Sequence, residues 1–373
     1  MSAAVVALCR AGFEPEAELD LARVAHDAGF RLDITATRGA GSVVARSEHL
    51  DHATWRRAIL AHPPIFVRSL FVGSGPHTIV VQDHGRPDRI APLAEAFAAL
   101  SRHAAHRPPW RAPWIEYADT NEGKAMSTLA RALDARLAGA MHERGLVADL
   151  AHAQAHVHLR DGATAWVGTS DERTGSPWPL GIPRLRMPRG APSRSTLKLA
   201  EAIAVFLGDR EPDLLHAGQS AVDLGAAPGG WTAQLLARGL QVTAVDNGAL
   251  APSLARDPNV EHVRADGLAW RPRRPVDWMV CDIVERPSRI ASLVGDWIAS
   301  ETAASAIFNL KLPMKKRYDE VERCADMIRE RLAAAGVDAT LAFRQLYHDR
   351  EEVTGYLARN FPRQSSGRMP RRR

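Results

Sequence analysis

Apolar and polar positions follow two different rhythms along this chain. In the first half, short apolar runs at 4–8, 64–72, 77–81 and 156–159 predict strands. Apolar residues three to four positions apart predict helices over 15–28, 90–100 and 124–143. Strand and helix signals do not alternate strictly here, which points to an α+β region of two small layered units. The second half is regular. A strand at 220–224 is followed by GAAPGG and a helix over 231–239, then by a strand at 241–246, a short helix, and strands at 260–266 and 276–282. A helix at 287–300, a strand at 306–312 and a helix at 318–335 stopped by Gly336 complete the alternation. Strands alternating with helices predict a doubly wound, mostly parallel, Rossmann-like α/β sheet. The segments 339–346 and 352–358, separated by YHDRE, read as an antiparallel hairpin at its edge.

Prolines at 177, 179, 183, 188 and 192 block helix interiors and central strands, so a stiff linker divides the two halves. The organisation expected is an N-terminal α+β region over 1–172, a Pro-rich linker over 173–193, an α/β domain over 194–360 and a basic tail over 361–373.

Composition adds mainly exclusions. With 373 residues, 46% hydrophobic and 24% charged, the chain has ample core for two or more domains. No apolar run approaches the roughly 18 residues of a spanning helix, so no membrane partner is expected. The opening segment lacks a basic n-region and its apolar stretch is broken at Arg10, so no secretory signal is read. Cys9, Cys281 and Cys324 form no CxxC pair, which excludes a disulfide framework and a Cys-rich zinc site. A cytoplasmic location follows from these readings.

The formal charge of +5 matches the five arginines of the acid-free segment 361–373, so the body is near neutral. A basic tail suits a nucleic-acid partner but equally suits a solvated terminus. Lysine occurs at five positions, Lys124, Lys198, Lys311, Lys315 and Lys316, in a chain otherwise supplied with arginine. Lysine is the cation that can lose its proton within reach of neutral pH. In the first half, His152, His156 and His158 are candidate metal ligands, since His156 and His158 share a strand face. With no Cys or carboxylate cluster beside them in sequence, they read as partly exposed strand histidines, and no metal site is expected.

The segment from Val222 to Thr232 carries the chemistry. Strand, glycine-rich loop and helix let backbone approach a ligand at the carboxyl edge of a sheet. In place of G-x-G-x-x-G, Gly225 is followed by Ala226, Ala227, Pro228, Gly229, Gly230 and Trp231. Asp223 before the first glycine would repel a pyrophosphate but suits an ammonium group, such as the amino-acid end of S-adenosylmethionine. Asp246 ends the next strand where a ribose-binding acid belongs, and Asp266 ends the third, facing an adenine. Asp282 ends the fourth strand, Lys311 the fifth, Glu352 opens the last, and Lys198 lies on the entering helix. Two lysines with two carboxylates suit deprotonation of a weakly acidic hydroxyl, each ammonium lowering the other's pKa. Cys281 alternates away from Asp282 and reads as core, not as a nucleophile. No Asn-Pro-Pro-aromatic segment follows Asp282, which argues against methylation of a base amino group.

At these residues the chain resembles a known family. DLGAAPGGWT, APSRSTLKL, FNLKLPMKKRY and LYHDREEVT resemble the bacterial large-subunit ribosomal RNA cytidine 2′-O-ribose methyltransferases of the M type, within the FtsJ-like group. LCRAGFE, YADTNEGK and GIPRLRMP extend the similarity over nearly the whole chain. The resemblance implies transfer of a methyl group from S-adenosylmethionine to 23S ribosomal RNA or its precursor. It also implies an RNA-binding THUMP domain in the N-terminal half. It places a Lys-Asp-Lys-Glu tetrad on Lys198, Asp282, Lys311 and Glu352, with Lys311 as base and Glu351 left as an alternative acid. Ser195, Ala227, Pro228, Gly229, Gly230, Asp246 and Asp266 match the family's cofactor contacts, with Asp282 sharing the pocket. No metal and no obligate protein partner is implied. A nicotinamide-dependent oxidoreductase is disfavoured by the missing G-x-G-x-x-G. The main alternative is a non-catalytic RNA-binding or ribosome-assembly factor with a methyltransferase-like fold.

Overall fold

Chain contacts divide the protein between Arg184 and Leu185, inside the proline-rich stretch. The structure is a computed structural model that describes residues 3–360 apart from 49, 84 and 85. The arginine-rich tail, 361–373, lies outside the described residues.

The first unit contains β1 (Ala3–Cys9), α1 (Glu14–Ala28), β2 (Asp33–Ala36), β3 (Ser42–Ser47), α2 (His52–Ala61), β4 (Val67–Thr78), β5 (Val81–Asp83) and β6 (Arg86–Asp88). It continues with α3 (Ile90–Leu100), β7 (Arg111–Tyr117), α4 (Asn121–Lys124), α5 (Ser127–Glu143), β8 (Ala153–Leu159) and β9 (Thr164–Asp171). Seven strands form one sheet in the order β2-β3-β1-β4-β9-β8-β7, and β5 pairs with β6 separately. Pairing in the large sheet is antiparallel except between β7 and β8. The apolar run of β1 is buried on both faces, as a central strand requires. The predicted strand over 77–81 is not separate, because β4 runs on to Thr78.

The histidine reading needs correction. His156 and His158 are buried, not partly exposed. A carboxylate does stand beside His156: its Nδ1 lies 2.8 Å from Glu116 Oε2 and its Nε2 lies 2.8 Å from Ser170 Oγ. The His156 ring stacks on Phe71 at 4.9 Å. Burial pushes the pKa of His158 down to about 4. No cluster of three metal-ligating side chains occurs among the described residues.

The second unit contains α6 (Thr196–Phe206), α7 (Glu211–Leu214), β10 (Ser220–Leu224), α8 (Gly230–Leu236), β11 (Gln241–Val245), β12 (Val260–Val263) and β13 (Val276–Cys281). Then follow α9 (Pro287–Ala299), β14 (Ala303–Lys311), α10 (Arg317–Ala335), β15 (Ala339–Arg344) and β16 (Glu352–Arg359). The strand order is β12-β11-β10-β13-β14-β16-β15. The strands from β12 to β14 are parallel, and β16 lies antiparallel between β14 and β15. The chain winds outward from β10 in one direction and from β13 in the other. The carboxyl ends of β10 and β13 are therefore the switch point, where such sheets bind ligands.

Two local expectations fail in this unit. The short helix predicted after β11 does not form; the segment makes turns, with a single helix-like bond from Ala255 N to Ala251 O at 3.0 Å that is not continued. The third strand stops at Val263, three residues short of Asp266.

Candidate active site

Every chemical side chain singled out in the second half lies at or just beyond the carboxyl edge of this sheet, or on α6 beside it. At β10 the chain leaves through Gly225 and reaches Gly229 at φ +110°, a left-handed conformation that side chains rarely adopt. Gly230 then opens α8, and a Cβ there would fall 2.4 Å from both Ser193 Oγ and Ser195 Oγ. That close approach seats the loop against Ser195, whose hydroxyl lies 2.6 Å from Ser193 Oγ. Pro228 is exposed and Ala227 half-buried. Trp231 faces the other way, buried in the apolar cluster that includes Leu199, Leu235 and Trp278.

Three acids border the loop in different ways. Asp223 is buried and accepts a hydrogen bond from Thr232 Oγ1 at 2.6 Å. Burial, opposed by that bond and reinforced by Asp282 and Asp246, pushes its pKa up to about 7. Asp246 stands just past β11, accepting from Ala227 N at 3.0 Å and from Gly248 N at 2.7 Å. It thus ties the glycine-rich loop to the next strand. Asp266 is exposed and accepts from Leu268 N at 2.9 Å, so it starts a turn instead of ending a strand.

A buried carboxylate with no ion pair among the described residues is what an amino-acid ammonium would satisfy. Asp246 and Asp266 leave oxygen lone pairs for hydroxyl and amino donors. The residues present therefore fit S-adenosylmethionine.

Beside this pocket the structure gathers four charges from four elements. Lys198 on α6 bonds Glu352 Oε1, and its Nζ lies 3.7 Å from Asp282 Oδ2. Lys311, the last residue of β14, bridges Asp282 Oδ1 and Glu352 Oε2. Strand register produces the second contact, because Lys311 pairs directly with Glu352 across the β14–β16 ladder. Glu351 points elsewhere, its Oε2 2.7 Å from Arg317 Nη2, and is exposed. Burial works to lower the pKa of Lys311, but Asp282 and Glu352 outweigh it and hold the ammonium above the ordinary lysine value. For Lys311 this reverses the expected direction, because the two carboxylates it touches outweigh its burial. Glu352 is held below the ordinary carboxylate range: burial alone would raise it, and Lys311 and Lys198 overcome that. Cys281 is fully buried, and burial pushes its thiol up to about 12. A thiol so protonated at neutral pH is no nucleophile.

Comparison with known proteins bears on what this arrangement is. Residues 191–323 match the family of FtsJ-like methyltransferases. Residues 88–171 match a family described as ribosomal RNA large subunit methyltransferase M, N-terminal. A ribosomal RNA large subunit methyltransferase M of Methylococcus capsulatus is 46% identical over 355 residues, covering 95% of this chain and 97% of that protein. One of Aromatoleum aromaticum is 46% identical over 366 residues, covering 95% of this chain and 94% of its own. The chain belongs to the ribosomal RNA large subunit methyltransferase M family.

For a member of the ribosomal RNA large subunit methyltransferase M family, the side chains behind the charged cluster matter as much as the cluster itself. Asn309 Nδ2 donates to Asp282 Oδ1 at 3.0 Å, and Asn309 Oδ1 lies 2.8 Å from Thr354 Oγ1. Thr354 Oγ1 in turn lies 3.0 Å from Asp349 Oδ2. A threonine hydroxyl has one proton, so if it donates to Asn309 then Asp349 must donate to it. Burial pushes the pKa of Asp349 well up, which matches a protonated carboxyl. None of these three was singled out in the sequence. The signal was present: Asn309 and Thr354 each lie two residues from a tetrad member, on the same strand face. Glu201, one turn along α6 from Lys198, accepts from Tyr347 N and His348 N at 2.7 and 2.9 Å. The helix that carries one lysine therefore also anchors the loop leading to Glu352.

Proposed function

We propose that this chain transfers the methyl group of S-adenosylmethionine to the ribose 2′-oxygen of a cytidine in large-subunit ribosomal RNA, acting in the cytoplasm. The observation that carries this reading is the Lys311 ammonium bridging Asp282 and Glu352, with Lys198 on the same glutamate. When bound, S-adenosylmethionine supplies a methyl carbon on a sulfonium, an electrophile that needs an oxygen nucleophile stripped of its proton. Asp223 receives the amino end, Asp246 the ribose hydroxyls and Asp266 the adenine edge, with Ser195 and residues 225–230 lining the approach. Lys311, once it has lost its own proton to solvent and stands as the neutral amine, takes the proton of the ribose hydroxyl. Asp282 and Glu352 orient Lys311, while Lys198 balances their charge. Holding hydroxyl and methyl in line supplies much of the acceleration. Asn309 fixes the Asp282 carboxylate in that arrangement. The N-terminal unit, including a THUMP-type module, grips the RNA.

Incubation with labelled S-adenosylmethionine and large-subunit RNA, followed by mass-spectrometric mapping, tests the proposal. Label on a cytidine ribose is expected. Label on a base would overturn the ribose assignment, and stoichiometric RNA binding with no transfer would favour the assembly-factor alternative.

A further inference from the structure

The first unit contains a cavity of about 250 Å³ that the methyl-transfer reading does not use. It lies between α2 and the sheet strands β4 and β9, with the segment 105–106 closing one side. Its volume exceeds the roughly 30 Å³ share of one water several times over. It is below the roughly 300–1,000 Å³ of sites for drug-sized ligands, so it has room for a single ring system.

Its lining is unusual for a packed interior. Trp55 and Thr169 are both 2% exposed, and Trp55 Nε1 and Thr169 Oγ1 have no hydrogen-bond partner among the described residues. His106 Nδ1, on the same lining, is buried and unpartnered as well. An unmade hydrogen bond at a buried polar atom costs stability, and three around one space imply that something fills it. The wall beside them is fixed, since Ser170 is held by the His156–Glu116 chain and His156 lies against Phe71.

The charges present select the occupant. Arg56 Nε lies 3.0 Å from Asp171 Oδ2, and His106 Nε2 lies 3.5 Å from the same oxygen. Asp171 puts a carboxylate in the wall, close to Arg56 Nε though without hydrogen-bond geometry to it, so the cavity does not favour an anion in its interior. It offers the Trp55 N–H, the Thr169 hydroxyl and the free His106 Nδ1, with apolar surface at Phe71 and Trp55, while Asp171 is taken up by Arg173 N and the Thr174 N–H and hydroxyl on Oδ1 and by Arg56 and His106 beside Oδ2. That combination suits a neutral, planar, polar ring. The two segments that wall it carry Arg56 and Arg57 on α2 and Arg102 and Arg107 after α3, with Arg57, Arg102 and Arg107 exposed. The side chains of Arg56 and Asp171 are 44% and 14% exposed, which sets the opening on the arginine side.

We propose that this cavity captures one unstacked nucleobase of single-stranded RNA, the ring inside and the adjoining phosphates against the arginines of its walls. The proposal rests on the reading of the N-terminal unit as the RNA grip. It adds to that reading a specific base-sized receptor.

The test uses the full-length protein, a single-stranded RNA hexanucleotide, and the same oligomer built with abasic riboses, titrated by fluorescence anisotropy over a salt series. The wild type should bind the ordinary oligomer about tenfold or more tighter than the abasic one, with a similar salt slope for both. Trp55→Phe keeps an aromatic ring but removes the N–H, and Thr169→Val removes the hydroxyl at nearly constant shape. Each should weaken the ordinary oligomer while leaving the abasic affinity and the affinity for S-adenosylmethionine unchanged, the latter reporting that the protein is folded. Equal wild-type affinity for the two oligomers overturns the base pocket while leaving the RNA grip standing. No RNA binding by the wild type overturns both.

Discussion

At Asp223, burial and function pull the same carboxyl in opposite directions. Its pKa of about 7, against an ordinary 3.8, means that the folded protein holds this proton more tightly than the unfolded chain does. Its contribution to stability is thus intact below the unfolded value and is lost as pH climbs to about 7. A bound ammonium reverses the balance by favouring the carboxylate. Affinity for S-adenosylmethionine should therefore rise with pH up to and through about 7, with proton release below it. Calorimetry in buffers of different ionisation enthalpy measures both. Asp223→Asn should flatten that profile and weaken binding by about tenfold or more, while raising the apo melting temperature at pH 8.

At Lys311 the conflict is different. Two carboxylates hold a proton on the group proposed to accept one, so transfer should quicken as pH rises through the alkaline range. Lys311→Arg keeps the charge but cannot serve as a base. It should cut single-turnover transfer by about 10²-fold or more at unchanged cofactor affinity. A near-normal rate would leave Lys311 an electrostatic role at most.

The elements show why some of this was readable in sequence and some was not. Parallel strands buried on both faces are short apolar runs between turns, so β10 appears in the sequence at its observed limits and β11, β13 and β14 within a few residues. Asp282, Lys311 and Glu352 were placed correctly at strand ends because their position follows from where the runs stop. Asp266 was not, since an Asx-type turn at Asp266 looks in sequence like the tail of a strand. The N-terminal sheet hid more. In β9 the buried residues include Thr169 and Ser170, polar side chains that a pattern of apolar positions cannot mark as interior. The burial of Ser170 makes sense once β8 supplies His156, whose Nε2 lies 2.8 Å from Ser170 Oγ. Glu352→Gln should lower transfer about 10²-fold or more, whereas Glu351→Gln, on the exposed partner of Arg317, should leave it nearly unchanged. In the first unit, His156→Leu leaves Glu116 and Ser170 buried without their partner. A loss of about 3 kcal/mol in urea unfolding is expected.

For the whole molecule, the division at residue 184 lets the two proposed tasks, RNA grip and methyl transfer, be assayed apart. A chain beginning near Leu185 should bind S-adenosylmethionine like the full protein but lose tenfold or more in RNA affinity, with a shallower salt dependence. Full RNA affinity in that fragment would move the grip into the methyltransferase unit.

Because β16 slots between β14 and β15, the acid that completes the charged cluster comes from the last strand described. Its ion pair with Lys198 closes a loop of 154 residues. During synthesis the glycine-rich loop, Asp282 and Lys311 all emerge from the ribosome well before Glu352 does. A nascent chain halted between Lys311 and Glu352 carries the glycine-rich loop, Asp282 and Lys311 but lacks the acid that completes the charged cluster.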